Sequence, residues 1–374
     1  METINKKDLF LKLRAWLSGA TIYSIGLLIY LKLPYYQSFI SKSFLNINFL
    51  HLRGFGIFYK GSILVFGTSA FSLLCSLYIF YVVFSFFWFF FYSGANIKDS
   101  RALVFWQAII KIILGWKNFF SKYFDAGLPS VQISPQEKST VLFFLVKLIY
   151  IPIMANFFFG NIGDFFTNVE KIFSHTHLRM QGQISEVYFC VFYAILIIDT
   201  TYFLLGYLFE FKSWKNELRS VEPTLFGWIV ALACYPPFNN ITTQIFGWGS
   251  NDYSAFPFVS LTIIAAIVSI VLYMIYVWAT IALGLKASNL TNRGIVSRGP
   301  YKYVRHPAYI SKNLAWLIMG IPIVLVNPLA IFSIAAWASI YFLRALTEER
   351  HLLADPDYQE YCKKVPYRFI PGVI

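Results

Sequence analysis

Residues 253–285 read YSAFPFVSLTIIAAIVSIVLYMIYVWATIALGL, a run without one Asp, Glu, Lys or Arg. A membrane-spanning helix needs about 20 predominantly apolar residues, so this run predicts one. Further windows of the same kind lie outward from it. Residues 15–31, 61–97 and 223–251 carry no charge; 139–163 carry only Lys147 and 187–209 only Asp199. The uncharged window 313–343 is interrupted by Gly320-Ile321-Pro322 and Asn327-Pro328. It reads as a tight helical hairpin of two crossings. The expectation is an all-α polytopic transmembrane bundle of about eight crossings. The double proline Pro236-Pro237 marks 223–251 as a kinked or re-entrant member.

Composition agrees. Of the 374 residues 58% are hydrophobic and only 13% charged, against about 25% charged in soluble domains. That excludes a water-facing surface of this size and a disordered chain. Ten-residue alternating strands are absent, so a membrane β-barrel is not indicated. The net charge of +13 comes without a basic stripe or RNA-binding motif, so no nucleic-acid partner is expected. It reads instead as contact with anionic lipid headgroups. Cys75, Cys190, Cys234 and Cys362 are far apart and form no CxxC, which supports neither a zinc site nor a disulfide framework.

Lys and Arg mark cytoplasmic loops. With the N-terminus inside, segments 1–14, 93–139, 211–222, 286–312 and 344–374 hold 24 of the 31 basic residues, and the outer loops hold 5. Both termini are thus expected in the cytoplasm of a multi-pass protein of the inner or cell membrane. The stretch Ala102 to Phe124, with Lys111, Lys117 and Lys122 at helical spacing, predicts an amphipathic helix on the inner leaflet.

Polar chemistry concentrates in the last 90 residues. Gly299-Pro300-Tyr301-Lys302-Tyr303-Val304-Arg305-His306-Pro307-Ala308-Tyr309 places an Arg-His pair at a helix start, where backbone amides favour anions. Arg344 and Glu348 are four apart and share a helix face. Such clusters suit a zwitterionic ligand; they also suit an interfacial salt-bridge belt. The run 299–309 resembles the signature of integral-membrane methyltransferases, the isoprenylcysteine carboxyl methyltransferase family and the phospholipid N-methyltransferases. The hairpin with Asn327-Pro328, the block Arg344…Glu348-Glu349…Leu352 and the tail Tyr358…Tyr361…Val365-Pro366 follow in the same order. The resemblance covers residues 251–374; residues 1–250 carry no placed motif.

The resemblance implies S-adenosylmethionine as methyl donor and a lipid or amphiphilic acceptor entering from the bilayer. It implies a cytosolic cofactor site formed by Gly299, Tyr301, Tyr303, Arg305, His306, Pro307, Tyr309, Glu348, Glu349 and Leu352. Arg305, His306, Arg344 and Glu349 are then the candidate catalytic set. In this picture Glu348 and Glu349 take the ammonium or the ribose hydroxyls, and Arg344 orients the pair or meets the acceptor. The tail Tyr361 to Pro371 also looks like the end of sterol double-bond reductases, which use NADPH. A non-catalytic membrane scaffold is the third reading.

Asp199, near the middle of its span, is expected to face the bundle interior, with Lys147 within reach. Asn239 and Asn240 either line a polar cavity or satisfy the proline kink. His175 and His177, near Glu170 and Asp164, are a weak metal candidate.

Overall fold

The computed structural model describes residues 6–36, 70–91, 100–121, 132–174, 180–247 and 252–373. It consists of α1 (Lys6–Lys32), α2 (Ala70–Phe91), α3 (Arg101–Ser121), α4 (Pro135–Ser174), α5 (Met180–Leu208), α6 (Leu225–Leu232), α7 (Phe238–Phe246), α8 (Val259–Leu283), α9 (Pro307–Val326), α10 (Ala330–Leu352) and α11 (Pro356–Lys364). One two-stranded ribbon pairs β1 (Ser220–Val221) antiparallel with β2 (Thr291–Asn292). Two compact units part between Ile149 and Tyr150.

In the first unit α1 packs against α2 and α3. The Trp16 indole donates to Val82 O at 3.0 Å and the Trp106 indole to Ser18 O at 3.2 Å. The helix expected over 102–124 is α3. It buries Ala102, Leu103, Val104 and Ala108 in its first turns and leaves Ile110, Ile113 and Trp116 exposed. Lys147 sits over the Phe143 ring, 4.6 Å from its centre.

The second unit holds the hairpin and everything the signature touches. Seven helices among the described residues are long and apolar enough to cross a membrane. The expected eighth crossing, 223–251, is not one continuous helix but two short ones, α6 and α7, separated at Tyr235-Pro236-Pro237. A proline lacks an N–H and its ring clashes with the preceding turn, so two in succession end a helix. At the break Tyr235 N–H closes a tight turn on Leu232 O, and the Thr242 hydroxyl caps Ala233 O at 3.2 Å. The Asn239 side-chain oxygen is buried there without a hydrogen-bond partner among the described residues.

The pair nevertheless runs from one end of the unit to the other. The starts of α5 and α8 adjoin, with Gln181 donating to Phe256 O and the Tyr188 hydroxyl to Asp252 O. Their far ends adjoin too, through Tyr207 and Asn289. α5 and α8 therefore point the same way, and the chain between them must return across the unit. It leaves the shared end at Glu222, bonded to Arg350 near the end of α10. It arrives at Phe246, whose carbonyl accepts from Ser333 near the start of α10 at 2.6 Å.

The hairpin forms as expected, with one difference. α9 continues through Gly320-Ile321-Pro322, and the reversal falls at Asn327-Pro328, where the Asn327 side chain accepts from Leu329 N–H. Gly320 sits close against α10: a Cβ there would lie 2.7 Å from the end of the Ile334 side chain, which would have to shift. Trp316, Trp337 and Tyr341 fill the space between α9 and α10.

Candidate active site

The signature loop is anchored on α8. Gly299 adopts φ +60°, and an added Cβ would crowd Ala282 and Trp278, so the tight approach of the loop to the helix requires glycine. A 3₁₀ turn follows over Gly299–Lys302. His306 is the residue before α9 and Pro307 its first helical residue, fully buried. Tyr301 packs with Tyr358, Tyr361, Val365 and Leu352, and its carbonyl accepts from the Tyr361 hydroxyl at 2.8 Å. Burial pushes the Tyr301 and Tyr361 phenols well up, so they stay neutral.

Two sets of charged residues emerge on opposite sides of Tyr309. The first is a closed clamp around Glu349, 4% exposed. Its carboxylate bonds His306 Nε2 at 3.1 Å and Arg368 Nε at 2.8 Å, and lies at ion-pair distance, 3.2 Å, from Arg305 Nε. Arg305 also donates to Cys362 Sγ and to Pro366 O. The backbone N–H groups of Arg305 and His306 bond Tyr367 O and Arg368 O. The tail after α11 is thereby laid along the signature, with Phe369 tilted against the His306 ring at 5.6 Å. Arg305, His306 and Glu349 thus hold one another and the tail.

The second set is open. A pocket at the shared end of α6, α9 and α10 is lined by Glu222, Asn289, Tyr309, Arg344, Glu348 and His351, with Gly227, Thr347 and Leu352 beside them. Arg344 is buried, its guanidinium within a cage of Tyr309, Tyr235 and Tyr341 at 5.2, 5.4 and 6.0 Å. It donates to the Asn289 side-chain oxygen and meets no carboxylate among the described residues. Glu348, one turn further on, is exposed and accepts from the Tyr309 hydroxyl at 2.6 Å. Tyr309 stacks at 5.4 Å on His306, so the pocket wall rests on the clamp. Of the expected residues, Tyr309, Arg344, Glu348 and Leu352 reach the pocket; Gly299, Tyr301 and Pro307 do not line it. Tyr303 turns outward, 63% exposed.

The sequence reading assigned no role to Glu222, Asn289 or His351. Glu222 is 2% exposed and binds Arg350 at 2.7 Å, while His351 Nε2 meets the Ser220 hydroxyl at 2.8 Å. The signal for Glu222 was an acid just before the N-cap Thr224 of a helix. A Cβ at Gly227 would strike its side chain at 2.5 Å.

Asp199 accepts from the Tyr276 hydroxyl at 2.8 Å and the Thr280 hydroxyl at 2.5 Å, and faces the bundle interior. His175 and His177 lie outside the described residues. Among those described, no three His, Cys, Asp or Glu side chains come together to hold a metal.

Residues 259–354, which span α8, the signature loop and the hairpin, match the model of the isoprenylcysteine carboxyl methyltransferase (ICMT) family. The Delta(14)-sterol reductase TM7SF2 of Mus musculus is 33% identical over 85 residues, 22% of this chain. The match spans only a fifth of that protein's length, 20%. No solved structure matches the chain. In the segment that builds most of the pocket, the chain is therefore isoprenylcysteine carboxyl methyltransferase-like.

Proposed function

We propose that the protein is an S-adenosylmethionine-dependent membrane methyltransferase acting on a lipid or amphiphilic acceptor. The observation that carries this is the pairing, one helical turn apart, of an enclosed guanidinium without a carboxylate and an open carboxylate. A buried cation held only by aromatic faces and one amide is incompletely compensated and favours an anion. The donor set fits the cofactor: Arg344 for a carboxylate, Glu348 for an ammonium or ribose hydroxyls, and the faces of Tyr235, Tyr309 and Tyr341 for a sulfonium. When bound, the cofactor supplies an electrophilic methyl group. The chain's own residues have a positioning task, because in-line methyl transfer depends on orientation and exclusion of water. Tyr309 holds the Glu348 carboxylate at the pocket, and the Glu349 clamp fixes the Tyr309 wall. The excess of basic residues on one set of loops supports a cytoplasmic site.

The likeness to the sterol reductase favours a second reading, an NADPH-dependent reductase. Calorimetric titration of both cofactors into detergent-purified protein separates the two. S-adenosylmethionine is expected to bind and NADPH to give no signal. Removing a charged partner from a desolvated site costs about 2–5 kcal/mol, so Arg344→Ala should weaken binding ~30-fold or more, and Glu348→Ala, at an exposed carboxylate, should weaken it less. Tight NADPH binding without an S-adenosylmethionine signal would transfer the assignment to the reductase.

A further inference from the structure

Behind Arg344 lies a buried chain of side chains that ends outside the family-matched segment. Tyr207, the penultimate residue of α5, is fully buried and stacks on Tyr150 at 5.5 Å. Its phenol oxygen receives two hydrogen bonds from one residue, Asn289, whose backbone N–H lies at 2.5 Å and side-chain Nδ2 at 3.0 Å. The Asn289 side-chain oxygen then accepts from Arg344 Nη2 and from the Tyr235 hydroxyl. Asn289 is 4% exposed and Arg344 8%, so neither exchanges these partners freely with water.

Resting on the methyltransferase reading, we propose that Tyr207 and Asn289 are positioning residues that aim Arg344 at the carboxylate of the bound methyl donor. An amide has one accepting and one donating end. Tyr207 holds the donating end, which leaves the accepting end for the guanidinium. An amide turned over would set NH₂ against guanidinium, donor against donor. The approach is built into the backbone. A Cβ at Gly206 would lie 2.8 Å from Ala287 O and 3.0 Å from Leu285 O, so glycine lets α5 come close enough for Tyr207 to reach Asn289. Arg305 is ion-paired with Glu349 and bonded to the tail, and Arg350 is paired with Glu222, which leaves Arg344 as the arginine that lines the pocket. A neutral amide suits this role better than a carboxylate would. It orients the guanidinium without neutralising it.

The test compares S-adenosylmethionine with its decarboxylated analogue, which lacks only the carboxylate, by calorimetry on the full-length protein. Wild type should prefer S-adenosylmethionine by ~10- to 100-fold, the range of one charge-assisted pair. Asn289→Asp places a permanent carboxylate against Arg344. It should erase the preference by weakening S-adenosylmethionine more than the analogue. Tyr207→Phe should shrink the preference in the same direction. A wild-type preference ratio in both variants, with only melting temperatures altered, would reduce the chain to a structural role and overturn the proposal. Equal affinity of wild type for the two compounds would overturn it while leaving the methyltransferase reading standing. Wild type that binds NADPH and neither compound would overturn both.

Discussion

Among single residues, Asp199 shows how a membrane interior handles an acid. The sequence put Lys147 within reach as a partner, and the carboxylate is held by two hydroxyls of α8, Tyr276 and Thr280. Lys312 lies beside it, its ammonium over the Tyr276 and Trp316 rings at 5.4 and 4.9 Å. Replacing Asp199 by Leu would leave both hydroxyls without their acceptor, at about 1–3 kcal/mol for each buried group. Asp199→Leu should therefore melt well below wild type in detergent, and Asp199→Asn, which keeps an acceptor, should lose less. Adding Tyr276→Phe and Thr280→Val to Asp199→Leu should recover part of the loss. A triple variant no more stable than Asp199→Leu would show that the hydroxyl contacts are not what Asp199 contributes. The sequence made the interior position legible, because an unpaired acid facing lipid is costly. It did not make the partner legible, because Tyr and Thr at α8 positions 276 and 280 look like ordinary span residues until α5 packs beside them.

Among elements, α11 is the most polar helix of the second unit and is held by its cap. Asp355 precedes it and accepts from Asp357 N–H at 3.0 Å, from Asn292 at 2.8 Å and from Arg219 at 2.8 Å. Burial pushes this carboxyl up, but the Arg219 and Asn292 hydrogen bonds and the capped amide outweigh it and hold it below the usual range. A carboxyl lowered on folding stabilises above its unfolded pKa, about 3.9, and the contribution is lost as pH falls through the folded value. Protection of the first α11 amides, measured by hydrogen exchange corrected for intrinsic rate, should hold steady down to about pH 4 and fall below it. Asp355→Asn should flatten that step. Arg219 is 46% exposed, so added salt should shrink the step as well. Identical profiles for wild type and variant would assign the step to another group. The cap was readable in outline from Asp355-Pro356. The link to β1 and β2 was not, because Arg219 and Asn292 approach it from distant parts of the chain.

For the whole molecule, the path of the chain matters more than the count of continuous helices. Seven helices qualify by length and composition, and the α6–α7 pair makes one further passage across the second unit. That passage restores even parity, so the two termini are expected on the same side, the cytoplasm. Reporters fused after residue 374 and within 161–185 should then read opposite sides, and reporters at the two termini the same side. Termini on opposite sides would mean that α6 and α7 do not complete a crossing. The apolar runs alone determined the helical membrane class, the hairpin and the position of most crossings, because a backbone in lipid must satisfy its own hydrogen bonds within each segment. The sequence puts Arg305, His306, Arg344, Glu348 and Glu349 into one candidate set without telling them apart. Only the tertiary structure decided that Arg305, His306 and Glu349 close on each other and the tail, while Arg344 and Glu348 stay open to the pocket. Pairing depends on separations of a few ångströms, set by how the tail, α6 and the end of α5 pack against the hairpin, and residue type carries no record of those distances.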